Sequence, residues 1–241
     1  MDNIEVQFTQ LLQQRGISLT AEQLSQFDLY YKELVAWNEK MNLTGITERE
    51  QVYTKHFYDS LSLAFFLDMH DINKLADIGS GAGFPGIPLK ICFPHLKLTI
   101  VDSLNKRISF LQHVCTTLKL TDVQLIHGRA EDVARQFTHR DAYDLVTARA
   151  VARLSLLNEF CLPFTRKDGV FAAMKGSDPS EELSEAKYSL KELRAEFSKV
   201  VSFSLPVEES DRHIVMIRKT GATSAKYPRK AGIPAKAPLI K

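Results

Sequence analysis

The sequence predicts an α/β fold with a parallel central sheet. From about residue 73 onward, short β-type apolar runs alternate with helix-length amphipathic segments. A glycine-rich loop follows directly on the first of those runs. Before residue 73 the pattern is helical only, so a helical N-terminal extension precedes the sheet.

The elements follow in chain order. Ile4, Phe8, Leu11 and Leu12 form one apolar helical stripe, and Gly16 suits its end. Thr20 and Gln23 make a capping box that opens a longer stripe, Leu24, Phe27, Tyr31, Leu34 and Met41. Thr47 and Glu50 read as a second capping box, with a further apolar helix over Phe57 to Leu67. The strand runs are Leu75 to Ile78, Leu98 to Val101, Val123 to Ile126, Asp144 to Thr147 and Val170 to Met174. Between the second and third, Ile108, Leu111, Cys115 and Leu118 keep helical spacing. Val200 to Leu205 and Ile214 to Ile217 read as a terminal hairpin. From Gly221 the chain is rich in Gly, Pro, Ala and Lys without apolar periodicity, and reads as a flexible tail. The expected organisation is a helical extension over residues 1–70, a core over 71–220 and a basic tail over 221–241.

Composition narrows the function classes. The 241 residues are 44% apolar and 25% charged, ordinary for a globular protein. No run approaches the roughly 18 apolar residues that a membrane span needs. Met1 to Glu5 has neither a basic nor an apolar leader pattern, and a cytoplasmic monomer is expected. Cys92, Cys115 and Cys161 are widely separated, lack CxxC spacing and read as core thiols; no metal site is expected. Charge is asymmetric. Residues up to Asp211 carry −6, and the stretch from Arg212 carries +8 with no acid. A basic tail on an acidic body points to a polyanion partner, with RNA, DNA and membrane surface all open.

The loop Ala76 to Lys90, ADIGSGAGFPGIPLK, is the most informative stretch. Three ligands compete for it. A phosphate-binding P-loop is excluded, because Ile87 and Pro88 stand where the lysine and hydroxyl belong. Gly81, Gly83 and Gly86 spell GxGxxG, and Asp102 stands where a ribose-binding acid belongs, so an NAD-dependent oxidoreductase stays open. Asp77 ahead of the glycines, and Pro85 and Pro88 in the first helical turn, fit a pyrophosphate site poorly. Asp77, Gly79, Gly81 and Gly83 read as D-x-G-x-G-x-G, which resembles the first motif of class I methyltransferases. S-adenosylmethionine has no phosphate, so amides lost to proline cost it little. Asp102 can accept from its ribose, and Gly128 to Asp132 lies where its adenine would sit.

The acceptor is read from what is missing. An Asn/Asp-Pro-Pro-Tyr/Phe motif, usual for exocyclic amines, is absent after the fourth run, which reads Thr147 to Arg153. Cys161 lies beyond the place of a pyrimidine-methylating nucleophile. That favours an acceptor already nucleophilic, such as guanine N7. Arg149, Arg153, Lys175, Lys106 and Arg107, with Lys226, Arg229 and Lys230 of the tail, are the candidate RNA contacts.

The chain resembles the glucose-inhibited division protein B family, 16S ribosomal RNA guanine-N7 methyltransferases, nearly end to end. The shared residues are Trp37-Asn38, Asn42 to Thr44, His56 to Leu61, Asp77 to Gly86, Asp102-Ser103, Lys106-Arg107, Arg129 to Glu131, Thr147 to Ala150 and Tyr227 to Gly232. The resemblance implies a class I, Rossmann-like methyltransferase fold, S-adenosylmethionine as cofactor and guanine 527 of the 530 loop as acceptor. It adds Phe84 and Arg149 to the cofactor contacts, beside Gly79, Asp102, Ser103, Ala130 and Glu131. Asn38, Asn42, His56 and Asp59 are expected to brace the helices, with substrate contact as the second reading. A rival within the same fold is an RNA-binding assembly factor without catalysis.

Overall fold

The computed structural model describes residues 2–241. One sheet holds β1 (Lys74–Ile78), β2 (Lys97–Asp102), β3 (Val123–His127), β4 (Tyr143–Arg149), β5 (Thr165–Lys175), β6 (Ala195–Ser204) and β7 (Asp211–Lys219). Its order is β3-β2-β1-β4-β5-β7-β6. β1 to β5 are parallel, and β7 runs antiparallel between β5 and β6. Every strand run expected from the sequence is a strand, and the last two form the hairpin. β7 takes the inner place because Ile214, Val215, Met216 and Ile217 are apolar on both faces. β6 exposes Glu196 and Lys199 and makes a polar edge.

Alternation along the strands divides the core. Leu75, Leu98, Ile100 and Leu145 share a core with α6 (Asn105–Thr117) and, beyond it, the N-terminal helices α1 (Asn3–Gln13) and α2 (Ala21–Met41). Ala76, Val101, Val146 and Ala148 face the opposite layer, which includes α7 (Ala130–Val133), α8 (Leu154–Cys161), α9 (Ser180–Glu185) and α10 (Lys187–Glu192). α2 opens on the expected capping box of Thr20 and Gln23. Inside the helical layer an aromatic cluster, Phe8, Phe27, Tyr53 and Phe57, packs at centroid distances of 5.0–5.2 Å along its closest pairs. Tyr30 carries it to the glycine loop. Its ring lies 5.4 Å from Phe84, and its buried hydroxyl donates to the Ala82 carbonyl at 2.5 Å.

The segment after Met41 departs from expectation. The N-cap of α3 (Arg49–Val52) is Glu48, whose carboxylate accepts from the amides of Glu50 and Gln51. A charged acceptor satisfies two orphan donors where Thr47 would satisfy one. The helix expected from Phe57 begins earlier and changes pitch. Residues Tyr53–Tyr58 form a π turn, α4 (Asp59–Leu61) follows, and a 3₁₀ turn closes at Phe65. Wide turns of this kind re-aim side chains and recur at functional sites. This one delivers Lys55, His56 and Asp59 to the carboxyl ends of β4 and β5.

The tail is also corrected: it is seated on the core. Tyr227 and Leu239 are buried in the second core layer. Arg140 donates to the carbonyls of Thr223, Ser224 and Tyr227, and Arg135 donates to that of Pro228. Lys219, fully buried, donates to Asp141 and Thr223. The sequence hides this docking because arginines bound to backbone carbonyls leave no apolar period.

Candidate active site

Strands are added to one side of β1 as far as β3 and to its other side from β4 onward, which places the topological switch point between the ends of β1 and β4. The glycine loop leaves β1 there and enters α5 (Gly86–Cys92). Gly83 stands at φ +99°, and a Cβ there would lie 2.6 Å from the Tyr30 hydroxyl and 2.8 Å from Ile87. Gly81 stands at φ +63° with open space where its side chain would be. One glycine fits the loop against the helices and the other leaves its outer surface clear.

Asp77 is fully buried beneath the loop. Its Oδ2 accepts from Ser80 Oγ at 2.6 Å and from the Gly86 amide at 2.8 Å. Oδ1 is buried with no hydrogen-bond partner. Burial pushes the Asp77 carboxyl up to about 6, against the lowering by Ser80, Gly86 and Arg149. This carboxylate fills the N-terminus of α5, the place a pyrophosphate would take in a dinucleotide site. The nicotinamide alternative is thereby set aside. A cationic ammonium suits an under-partnered buried carboxylate, and S-adenosylmethionine carries one.

Two cavities flank the switch point. The smaller, about 180 Å³, is lined by Gly79, Ser103, Ala130, Glu131, Val151 and Phe160 among others. Its walls are largely apolar, as an adenine ring requires. The larger, about 450 Å³, lies over the ends of β4, β5 and β7 and includes Lys55, His56, Asp59, Arg149, Lys175 and Arg212. Adjacent residues of one loop divide them. Ala150, held at φ +54°, lines the larger, and Val151 lines the smaller. Val151 presses on Gly79, where a Cβ would stand 2.9 Å from its Cγ2.

The expected site residues separate along this division. Gly79, Ser103, Ala130 and Glu131 line the smaller cavity. Asp102, almost fully buried, ends β2. Its Oδ2 accepts from the Gly81 amide at 3.1 Å and its Oδ1 from the Leu104 amide at 2.9 Å. A carboxylate offers about four lone-pair sites, so capacity for a ribose hydroxyl remains. Arg149 lies on the larger cavity. It donates to Asp59 Oδ2 at 2.9 Å and to the Lys55 carbonyl, with its guanidinium 5.1 Å over the Phe84 ring. His56 stacks on that ring at 4.6 Å, and its Nε2 lies 2.9 Å from Thr44 Oγ1. Burial and the Arg149 charge push His56 down to about 3, so it stays neutral. Asn38 accepts from the Thr44 amide and Asn42 ends α2 in a left-handed turn, both structural roles.

The candidate RNA contacts are mostly engaged. Arg153 pairs with Glu181 and Glu185, Lys175 with Glu182, Lys226 with Glu192, and Arg229 with Glu159; Arg107 lies 3.4 Å from Asp102. Lys106 and Lys230 are exposed, and neither has an ion-pair partner among the described residues. The basic stretch after Asp211 therefore presents far less free charge than its +8 suggests. Lys55 and Arg212, which line the larger cavity, escaped sequence reasoning. Lys55 had only its adjacency to His56 to suggest it, and Arg212 only its place in the charge count. Cys161 is fully buried, with its thiol pushed well up by burial, so it is no nucleophile.

Comparison with known proteins agrees with this geometry. Residues 23–215 match the family model described as GidB, rRNA small subunit methyltransferase G. A Brevibacillus brevis protein named ribosomal RNA small subunit methyltransferase G is 56% identical over 97% of this chain and 98% of its own length. A Bacillus subtilis protein of the same name is 53% identical over 98% and 99%. Among solved structures, the mitomycin 7-O-methyltransferase MmcR aligns with a TM-score of 0.56 at 15% identity, covering 79% of this chain and 60% of its own. TYW2 from M. jannaschii, solved in complex with AdoMet, gives 0.51 at 17% identity over 68% and 74%. These two bear on the fold alone. A family model spanning most of the chain, and relatives above half identity over nearly all of it, admit one conclusion: the chain belongs to the GidB family of small-subunit ribosomal RNA methyltransferases.

Proposed function

We propose that the protein transfers the methyl group of S-adenosylmethionine to N7 of guanine 527 in the 530 loop of 16S ribosomal RNA. Family membership supports ribosomal RNA methylation, and the glycine loop with its buried acid supports the cofactor. When bound, the cofactor supplies an electrophilic methyl group on a sulfonium. Glu131, Ala130 and Ser103 would hold its adenosine end in the smaller cavity, with Asp102 on the ribose. The acceptor base would enter the larger cavity across the Ala150-Val151 divide.

The observation that carries the choice of N7 is the character of His56. It is the one imidazole lining the acceptor cavity, and burial holds it neutral and weakly basic; the two carboxylates of that cavity, Asp59 and Glu182, are committed to Arg149 and Lys175, so no free base faces the acceptor. An exocyclic amine must shed a proton during transfer, whereas guanine N7 attacks with a free lone pair. The chain's work is then orientation, which can supply many kcal/mol of a displacement barrier. The Arg149-Asp59 pair and the Phe84-His56 stack form a fixed wall for that purpose. The test supplies labelled S-adenosylmethionine with small subunits lacking the modification and then digests the RNA to nucleosides. Label in 7-methylguanosine supports the reading. Label in N1- or N2-methylguanosine, or no label, overturns it.

A further inference from the structure

The sequence suggests a division of labour, the tail serving RNA and the core serving the cofactor. The contacts run otherwise. Arg229 of the tail closes on Glu159 of α8, a carboxylate 1% exposed. Its amide donates to Oε1 at 2.8 Å, its Nε to Oε1 at 2.9 Å and its Nη2 to Oε2 at 2.6 Å. Glu159 is the neighbour of Phe160, which lines the smaller cavity. Three residues beyond Arg229, Gly232 turns at φ +84° and donates its amide to Glu131 Oε1 at 3.0 Å. Arg129 donates to the same oxygen at 3.1 Å. Both bonds fall on Oε1, and Glu131 is 1% exposed while lining the cavity.

We infer that Arg229 and Gly232 are positioning residues for the cofactor: the Tyr227–Gly232 segment is a strut that holds Glu131 in the orientation the adenosine end meets. This inference rests on the reading of Glu131 as a cofactor contact. The buried Arg229-Glu159 fork fixes where the segment crosses α8, and that fixes the Gly232 amide against Glu131. Burial raises the Glu131 carboxyl, but the Arg129 and Gly232 donors outweigh it and hold it below its ordinary range. Without the strut, Oε1 keeps only the half-exposed Arg129 as a donor, and the carboxylate is free to turn toward water.

The test is a double-mutant cycle on the full chain, read as the dissociation constant of S-adenosylhomocysteine by calorimetry. Glu131→Ala should weaken binding about tenfold, the scale of one charged hydrogen bond. Arg229→Met should weaken it about fivefold alone and add nothing in the Glu131→Ala background. A structural role elsewhere would make the two effects multiply. Glu159→Gln in the full chain removes the charge that fixes Arg229 and should weaken binding as Arg229→Met does; it serves if Arg229→Met fails to fold. Unchanged affinity in both variants, or multiplying effects, overturns the strut. If Glu131→Ala itself binds normally, the site assignment fails first and the strut with it.

Discussion

Asp77, buried beneath the glycine loop, and His56, half-buried on the larger cavity, titrate with opposite consequences, which makes the account testable by stability alone. The Asp77 carboxyl is raised from 3.8 to about 6, so the folded protein binds its proton more tightly than the unfolded chain does. Stability from this group is present below about pH 4 and lost as pH rises through 6. His56 is lowered from 6.5 to about 3, so the unfolded chain takes the proton first. Stability is kept above 6.5 and lost as pH falls. Between pH 7 and pH 4, Asp77 should add about 2 kcal/mol and His56 should remove about 3 kcal/mol. In the wild type the two nearly cancel. Asp77→Asn keeps an oxygen for Ser80 and Gly86 and should lose about 2 kcal/mol more than wild type on acidification. His56→Gln should lose about 3 kcal/mol less. The assay is urea unfolding from pH 4 to pH 7 for the three proteins, where all other groups titrate alike. Parallel curves for wild type and Asp77→Asn would refute the buried, under-partnered carboxylate.

Three further outcomes follow from the loop and the cofactor walls. Gly83→Ala should cost about 3 kcal/mol or more, combining left-handed strain with contacts under 3 Å to Tyr30, Ile87 and Leu111, as thermal unfolding will read. Gly81→Ala, with open space at its Cβ, should cost about 1 kcal/mol and act chiefly on S-adenosylhomocysteine affinity. Asp102→Ala should weaken that ligand about tenfold by calorimetry, and unchanged binding would remove the ribose assignment.

Much of this was legible in the residues. Strand alternation, four consecutive apolar residues at Ile214 to Ile217 and the Thr20 capping box each have a local physical cause, and each appears as expected. The glycine loop was legible because positive φ and close approach demand glycine. The pitch change at Tyr53–Tyr58 was not, since a π turn keeps the apolar content of a helix and alters only its phase. The docked tail was hidden because its partners, Arg140 and Glu159, lie far away in sequence. Net charge misled for the same reason: counting Arg229 or Lys226 cannot reveal Glu159 or Glu192 beside it. Nor did spacing show that Arg149 and Glu131 line different cavities, because that depends on how one loop passes between them.

The most direct measurement maps the modified base. Small subunits lacking the modification are incubated with the protein and S-adenosylmethionine, and the RNA is treated with borohydride and aniline, which cleave at 7-methylguanosine. A single enzyme-dependent cut at guanine 527 is the predicted result. Methyl incorporation without a cut, or a cut elsewhere, would contradict the assignment of the acceptor.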